Sequence, residues 1–481
     1  MTSITLFTAA PELSNDMAEV LRLFWGNIDL RVNEAGGDMA LTHEEAFENG
    51  LRVVRVTEGV HTEETREAVT GDAVVDKRLR RRQAKLCVYG LMKARTGVTP
   101  PWGSLTGIRP TRLLYANLDR GLGMDGAVAE LRRTFDVSAE KAEILRRIVL
   151  TQREVSLPQP DEADIYIGIP FCVTRCAYCS FLSGEVGKGE LLSPYVGALE
   201  REIDGAMALL QETGLRPRAF YMGGGTPTAL TAPLLRRVLA KAAPLMAACR
   251  EITVEAGRPD TIDREKLQAL LDAGVTRISV NPQTMHDETL ERIGRRHTRA
   301  QTEAAYRLAR EMGFNHINMD LIAGLPGEDL AMFRQTLDWL GALAPESMTV
   351  HTLSIKRSSL LHLWQAMLPD GGMVAGMVRA GAETAAALGM RPYYLYRQKY
   401  MAGNQENVGY ALPGHECLYN IDMMEETANV IALGAGAASK RLFPQKGFIR
   451  RAFNVSDIRQ YIDRVDEMVA RKRELFLEKQ Q

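Results

Sequence analysis

Phe171-Cys-Val-Thr-Arg-Cys-Ala-Tyr-Cys-Ser180, directly after Ile165-Tyr-Ile-Gly-Ile-Pro170, gathers three cysteines on one short loop behind a strand-like run. Thiolates spaced in this way can each bind one iron of a cubane iron–sulfur cluster. No fourth cysteine follows nearby, which leaves one iron open to a small molecule. An open iron beside a bound sulfonium is a starting point for radical chemistry. Structural zinc wants four closed ligands, usually two pairs, whereas Cys87, Cys249 and Cys417 are scattered singly. The pattern favours a cluster.

Outward from this loop, strand-like runs near 164–169, 218–222, 251–256, 276–280, 316–322 and 348–353 alternate with helix-length amphipathic segments such as Tyr195–Thr213 and Thr302–Met312. Six βα units in this order predict a parallel sheet with right-handed crossovers. Periodicity alone leaves a doubly wound sheet and a barrel both open. The polar linker Ser156-Leu-Pro-Gln-Pro-Asp-Glu-Ala163 precedes the first strand. The expected division is an N-terminal mixed or helical accessory domain at 1–155, a central α/β region at 156–354, and a smaller C-terminal α+β domain at 355–481 that covers substrate. In the first, Ile4–Phe7 and Leu51–Val56 read as strands, and helices follow that break at Thr99-Pro-Pro-Trp-Gly103. In the last, Ser456 is the expected cap of a closing helix whose Ile458, Tyr461, Ile462, Val465, Met468 and Val469 fall on one packing face.

The 481 residues carry 59 lysines and arginines against 60 aspartates and glutamates, a net charge of −1. No global field draws the chain to nucleic acid or membrane. Six cysteines, three clustered, suit a reducing cytosol rather than a disulfide framework. No apolar stretch reaches the roughly 18 residues of a membrane span, so the expected location is cytoplasmic. The basic run from Lys77 to Arg95, with Arg80-Arg81-Arg82 at its centre, lacks acidic residues. It reads as a solvated helix face or as an anion-binding surface.

In a parallel barrel, reactive groups collect at the C-terminal ends of the strands. Met222-Gly-Gly-Gly-Thr-Pro-Thr228 follows the second run, and exposed N–H groups there can grip a carboxylate. Glu255 ends the third, Gln283 follows the fourth, Arg295 lies on the next helical segment, and Asp320 sits within the fifth before Gly324-Leu-Pro-Gly327. Buried carboxylates are costly unless paired or hydrogen-bonded. Around one cluster loop, these residues supply donors and acceptors for ribose hydroxyls, an adenine edge and an amino-acid head group. Gly434-Ala-Gly436 reads as a close-approach turn rather than a dinucleotide fingerprint, since no acidic residue stands at the required distance. His351 reads as a hydrogen-bonded core residue. His415-Glu-Cys-Leu-Tyr419 reads as a loop that could touch substrate.

Cys172-x3-Cys176-x2-Cys179, with an aromatic before the last cysteine, resembles the signature of radical S-adenosylmethionine (SAM) enzymes. Tyr166-Ile-Gly-Ile-Pro-Phe-Cys172, Gly223-Gly-Gly-Thr-Pro-Thr228, Gln283, Arg295 and Asp320-Leu-Ile-Ala-Gly-Leu-Pro326 narrow the resemblance to the oxygen-independent coproporphyrinogen III oxidase (dehydrogenase) family. Pro101-Trp-Gly-Ser-Leu-Thr-Gly-Ile-Arg-Pro110 and Asn420–Lys440 resemble its HemZ-like branch. The resemblance implies an open, partial (β/α)6 radical-SAM barrel. It also implies a [4Fe–4S] cluster on Cys172, Cys176 and Cys179, whose free iron chelates S-adenosyl-L-methionine. By motif position, Tyr166, Tyr178, Gly224, Gly225, Thr226, Glu255, Gln283, Arg295, Asp320, Ser354 and Ala438 would line the cofactor sites.

The implied reaction converts coproporphyrinogen III to protoporphyrinogen IX for heme biosynthesis. A 5′-deoxyadenosyl radical removes hydrogen from a propionate β-carbon; carbon dioxide and one further electron then leave, giving a vinyl group, and this happens twice. An electron donor such as flavodoxin or ferredoxin is implied, and Arg109, Arg112, Lys356 and Arg357 are candidates to hold propionates. The sequence departs from the family twice. Phe181 stands where one branch has a further cysteine. His415-Glu-Cys-Leu-Tyr419-Asn lacks the Asn and Trp of the heme motif of a heme-chaperone branch. Decarboxylation is therefore favoured over heme binding and transfer. An RNA-modifying radical SAM enzyme using residues 77–95 is a further alternative, without the aromatics expected of an RNA-binding surface.

Overall fold

The computed structural model describes residues 2–179, 184–356, 359–363, 369–399, 401–444 and 447–478. Phe181 and Arg357, both singled out above, lie outside the described residues. The chain forms two compact units: Met1–Arg146 with Gln398–Tyr400, and Arg147–Arg397 with Met401–Gln481.

The first unit holds strands β1 (Thr2–Thr8), β2 (Ile28–Val32), β3 (Met39–Glu48), β4 (Leu51–Glu58) and β5 (His61–Ala68). Their order is β2-β1-β3-β4-β5. Ile4, Leu6, Leu41 and Val54 share one apolar core with Met17 and Leu21 of helix Ser14–Trp25 and with Ala84, Val88 and Leu91 of helix Ala73–Thr96. That second helix carries the basic run. Arg80, Arg81, Arg82, Lys85, Lys93 and Arg95 each pair with a carboxylate of the same unit. Six of the eight cations of this run are thus paired within their own unit.

The second unit contains β6 (Glu162–Ile169), β7 (Phe171–Cys172), β8 (Gly184–Glu185), β9 (Arg216–Gly224), β10 (Glu251–Gly257), β11 (Arg277–Val280), β12 (Ile317–Ala323) and β13 (Ser347–Thr352). It continues with β14 (Arg391–Tyr396), β15 (Asn407–Ala411), β16 (Asn429–Leu433), β17 (Ala438–Phe443) and β18 (Phe448–Phe453). Eleven of these strands make one sheet in the order β14-β15-β13-β12-β11-β10-β9-β6-β16-β17-β18. From β6 to β13 every neighbour is parallel, and helices such as Leu192–Thr213 and Leu330–Leu343 connect successive strands. This is the expected partial (β/α)6 barrel. Strands beyond residue 390 extend it at both ends: β15 lies antiparallel to β13, and β16 lies parallel to β6.

The alternation along these strands explains both the packing and the site. Ile165, Ile167, Phe220, Met222, Val254, Ile278, Met319, Leu321, Met348 and Val350 are buried and share one face. The other face carries Tyr166, Tyr221, Thr253, Glu255, Asn318, Asp320 and Thr349, because residues two apart point to the same side. The helices start where local chemistry dictates: Asp263 and Asp329 cap two of them, and Thr298 with Gln301 forms a capping box.

The C-terminal helix departs from expectation in two ways. Its cap is Asp457, not Ser456, because the Asp457 carboxylate accepts the Gln460 N–H at 2.9 Å. It also breaks at Arg464 into Ile458–Asp463 and Val465–Leu477. Among the described residues, no helix is long and apolar enough to cross a membrane.

Glu202, fully buried on helix Leu192–Thr213, ties this end of the chain to the sheet. Its carboxylate accepts from the Gly434 amide at 2.7 Å, Asn454 Nδ2 at 2.7 Å, the Tyr461 hydroxyl and the Lys472 ammonium. Removing one partner of a buried ion pair leaves an uncompensated charge. Lys472→Met should therefore lower the unfolding free energy by about 3–5 kcal/mol, measured by urea denaturation of wild type and variant side by side.

Candidate functional site

The cysteine loop leaves the C-terminal end of β6 and is seated by backbone contacts. The Ala177 amide donates to Ile293 O at 2.9 Å, and Leu361 donates back to Ala177 O at 3.0 Å. Ala177 and Tyr178 pack with Leu290, Ile293, Ile322, Leu325 and Leu353. Thr174 Oγ1 donates to Gly294 O at 3.0 Å. Cys176 is nearly buried; Cys172 and Cys179 are partly exposed. The loop thus presents its sulfurs at the mouth of the barrel.

Arg295 meets this loop from a corner, not from a helix as expected. Helix Asp287–Arg292 gives way to a turn at Gly294, whose φ of +76° favours glycine, and Arg295 follows outside regular structure. Its guanidinium donates to Asn281 O at 2.6 Å, and the charges of Tyr178 and Cys176 act on it. Burial, foremost, holds the Tyr178 hydroxyl protonated well above its ordinary range.

The glycine stretch braces the loop. Gly225 N–H donates to Ile169 O and Thr226 N–H to Phe171 O, each at 2.8 Å. A Cβ at Gly225 would lie 2.5 Å from Phe171 O. Glu255 lies against this stretch, where a Cβ at Gly223 would stand 2.8 Å from its Oε2. The Gly225 and Thr226 amides, expected to grip a ligand carboxylate, are already engaged within the protein. The Thr226 hydroxyl stands 3.6 Å from Cys172 Sγ.

The remaining predicted residues fall on the polar face. Tyr166 stacks on Tyr419, with ring centroids 6.0 Å apart, and Tyr419 on Tyr221 at 4.5 Å. Tyr221 donates its hydroxyl to Glu255. Burial pushes the Glu255 carboxyl up to about 7, against the lowering effect of that hydrogen bond. Burial would also raise Asp320, but His351, Asn318 and Thr349 outweigh it and hold this carboxyl below its ordinary value. His351 Nε2 lies 3.7 Å from Asp320 Oδ2, and its Nδ1 lies 3.3 Å from the Tyr396 hydroxyl. Gln283, at φ +68°, is locked to β12 by its N–H to Asp320 O and by Ile322 N–H to its own carbonyl. Among the described residues, its buried Oε1 has no hydrogen-bond partner, nor does Arg295 Nε. Ser354 and Ala438 have backbone partners elsewhere, Met401 and Phe453. Ala438 opens β17 rather than lying in the glycine turn, where Gly434 approaches Gly168 so closely that a Cβ would sit 2.3 Å from its carbonyl oxygen.

Sequence reasoning missed Tyr221 and Tyr396, although the alternation of β9 and β14 carried the signal for both. His415 is a correction. It follows β15, which runs antiparallel to β13, so it emerges at the N-terminal end of the barrel strands. There it meets His316 with ring centroids 4.6 Å apart. Cys417 and Tyr419 of that segment pack with Tyr166 and Tyr221 on the polar face.

Three thiols in a cation-rich setting, with buried donors and acceptors left over, fit a [4Fe–4S] cluster and its small-molecule ligand. Among the described residues, no three His, Cys, Asp or Glu groups converge on a single metal ion. A cubane binds each thiolate to a different iron, so its ligands need not converge in that way.

The chain is 43% identical over 395 residues to the oxygen-independent coproporphyrinogen-III oxidase-like protein HemZ of Bacillus subtilis (strain 168), covering 79% of this chain and 78% of that one. The chain belongs to the oxygen-independent coproporphyrinogen III oxidase-like family. Residues 166–340 match the Radical SAM superfamily, and the family uses a [4Fe–4S] cluster and SAM. The heme chaperone HemW of Escherichia coli (strain K12) is 32% identical over 289 residues, 60% of this chain and 72% of that one. The solved structure of coproporphyrinogen III oxidase (HemN) from Escherichia coli, titled a radical SAM enzyme, shares the fold. Its TM-score is 0.51 at 21% identity, over 69% of this chain and 74% of that one.

Glu255 sets a pH dependence in this family member. Its folded value lies above its unfolded one, so its contribution to stability is complete below about 4.5 and lost as pH rises through about 7. Between pH 5 and 8, wild type should lose about 2–3 kcal/mol of unfolding free energy relative to Glu255→Gln. Urea titrations of both proteins at each pH measure the difference.

Proposed function

We propose that this protein carries out the oxygen-independent oxidative decarboxylation of coproporphyrinogen III to protoporphyrinogen IX, in two successive propionate-to-vinyl conversions. The observation that carries this reading is the convergence of Glu255, Gln283, Arg295 and Asp320 beside a three-cysteine loop, in a chain related to HemZ over most of its length. Cys172, Cys176 and Cys179 would hold the cluster. When bound, the reduced cluster and SAM supply the 5′-deoxyadenosyl radical that takes a hydrogen atom from the propionate β-carbon.

The chain's own residues do the rest. Gln283 Oε1 and Arg295 Nε would meet the polar groups of the nucleoside and amino-acid moieties, since each is buried and unmatched. Asp320, kept ionised by its hydrogen bonds, would accept from ribose hydroxyls. Gly224, Gly225 and Thr226 would form a close wall because two of them lack a Cβ, rather than through free amides. Tyr166 and Tyr178 would flank the cofactor, and Glu255 would donate or accept according to its protonation state. Ser354 and Ala438 would lie at the edge of this site. Lys356 is a candidate for a propionate, and flavodoxin or ferredoxin for the electron source.

The relatedness to HemW supports a second reading, heme binding and transfer without decarboxylation. The placement of His415 beside His316, at the opposite end of the strands from the cysteine loop, separates any heme contact there from the cluster.

Reduced, reconstituted protein incubated anaerobically with coproporphyrinogen III and SAM should release 5′-deoxyadenosine and a vinyl-bearing product, resolved by chromatography. Tight stoichiometric heme with no vinyl product would decide for the second reading. Cys176→Ala should lose the brown cluster absorbance and reduce SAM cleavage below detection, whereas Glu255→Ala should keep its colour and bind SAM more weakly.

A further inference from the structure

Arg258 stands outside the residues named so far, yet it is built into the cysteine loop. It follows β10 and opens the short turn Pro259–Thr261, with only 3% of its surface exposed. Its Nη1 donates to Thr174 O at 3.0 Å and to Thr174 Oγ1 at 2.8 Å, and it faces Cys176 Sγ at 3.9 Å. Its other edge grips Asp260, with Nε to Oδ1 at 3.0 Å and Nη2 to Oδ2 at 2.8 Å. Thr174 passes the clamp on to Gly294. The Arg258 carbonyl in turn accepts from the Thr261 amide and hydroxyl, so the guanidinium is carried by a stiff turn.

Burying an ion pair costs desolvation that an apolar residue would avoid. Here the pair is neutral overall but oriented: the cation faces the sulfur and the carboxylate stands behind it. Arg258, after β10, thus sets its guanidinium directly against the Cys176 sulfur, and Arg295, after helix Asp287–Arg292, adds a second positive charge near it. Reducing an iron–sulfur cluster adds one negative charge shared by its irons and thiolates. Hydrogen bonds to those sulfurs, and positive charge nearby, favour that state. In a buried setting salt does little to screen the effect.

We infer that Arg258 is a positioning residue that clamps the cysteine loop through Thr174 and raises the reduction potential of the cluster through its N–H aimed at Cys176, with Asp260 moderating that charge. The inference rests on the reading that Cys172, Cys176 and Cys179 hold a [4Fe–4S] cluster. The two are separable because the pair Arg258–Asp260 makes predictions of opposite sign, which loop damage alone does not.

The test is an anaerobic redox titration of the full-length, reconstituted protein, read by electron paramagnetic resonance without SAM, alongside iron and sulfide analysis. Wild type, Arg258→Gln and Asp260→Asn are compared. Arg258→Gln should titrate at a more negative potential than wild type, and Asp260→Asn at a more positive one. Unchanged potentials in both, or shifts in the same direction, overturn the assignment. If Arg258→Gln takes up no cluster, the sign of the Asp260→Asn shift decides by itself. Wild type lacking iron and sulfide would instead remove the cluster reading, and this inference with it.

Discussion

Two backbone hydrogen bonds hold the site to the sheet: Gly225 N–H to Ile169 O and Thr226 N–H to Phe171 O. They continue the parallel pairing of β6 and β9 beyond its last rungs, Gly168 with Gly223 and Ile169 with Gly224. The stem of the cysteine loop therefore leaves the sheet in a fixed direction. Any side chain at Gly225 would press into Phe171, so the contact needs a residue without a Cβ. From this brace the loop reaches the corner at Ile293–Gly294 and the guanidiniums of Arg258 and Arg295.

Strands of a parallel sheet, covered on both faces, usually read as continuous apolar runs. Here one face is polar: carboxylates, tyrosines and a histidine line it from β6 to β14. Burial of such groups is tolerated because they satisfy one another. Asp320 does so fully, through His351, Asn318 and Thr349, and remains ionised. Glu255 does so partly, through Tyr221, and is poised near pH 7. Two carboxylates on neighbouring stretches of one face thus carry different protonation behaviour, set by hydrogen bonding rather than by sequence type.

Much of this was legible in the chain. The six central strands fall within two residues of the hydrophobic runs that announced them, because short β-rich runs flanked by amphipathic helices have few other ways to bury their side chains. The cysteine spacing likewise pointed to the family match over residues 166–340. Other features depended on distant partners. Arg295 was expected on a helix that ends at Arg292; the loop amides of Gly225 and Thr226 were expected free and are engaged with Ile169 and Phe171. His415 was expected near substrate, and the antiparallel course of β15 carries it to the other end of the strands.

By itself, the sequence determined the parallel α/β core, the three-thiol loop and the polar residues at strand ends, since each rests on local periodicity or spacing. Only the tertiary structure decided which of those groups meet. The stacking of Tyr419 on Tyr166 and Tyr221, the pairing of His351 with Asp320, and the orientation of Arg258 toward Cys176 all join residues far apart in the chain. Such contacts are set by strand register and direction, and no local pattern of residues encodes them.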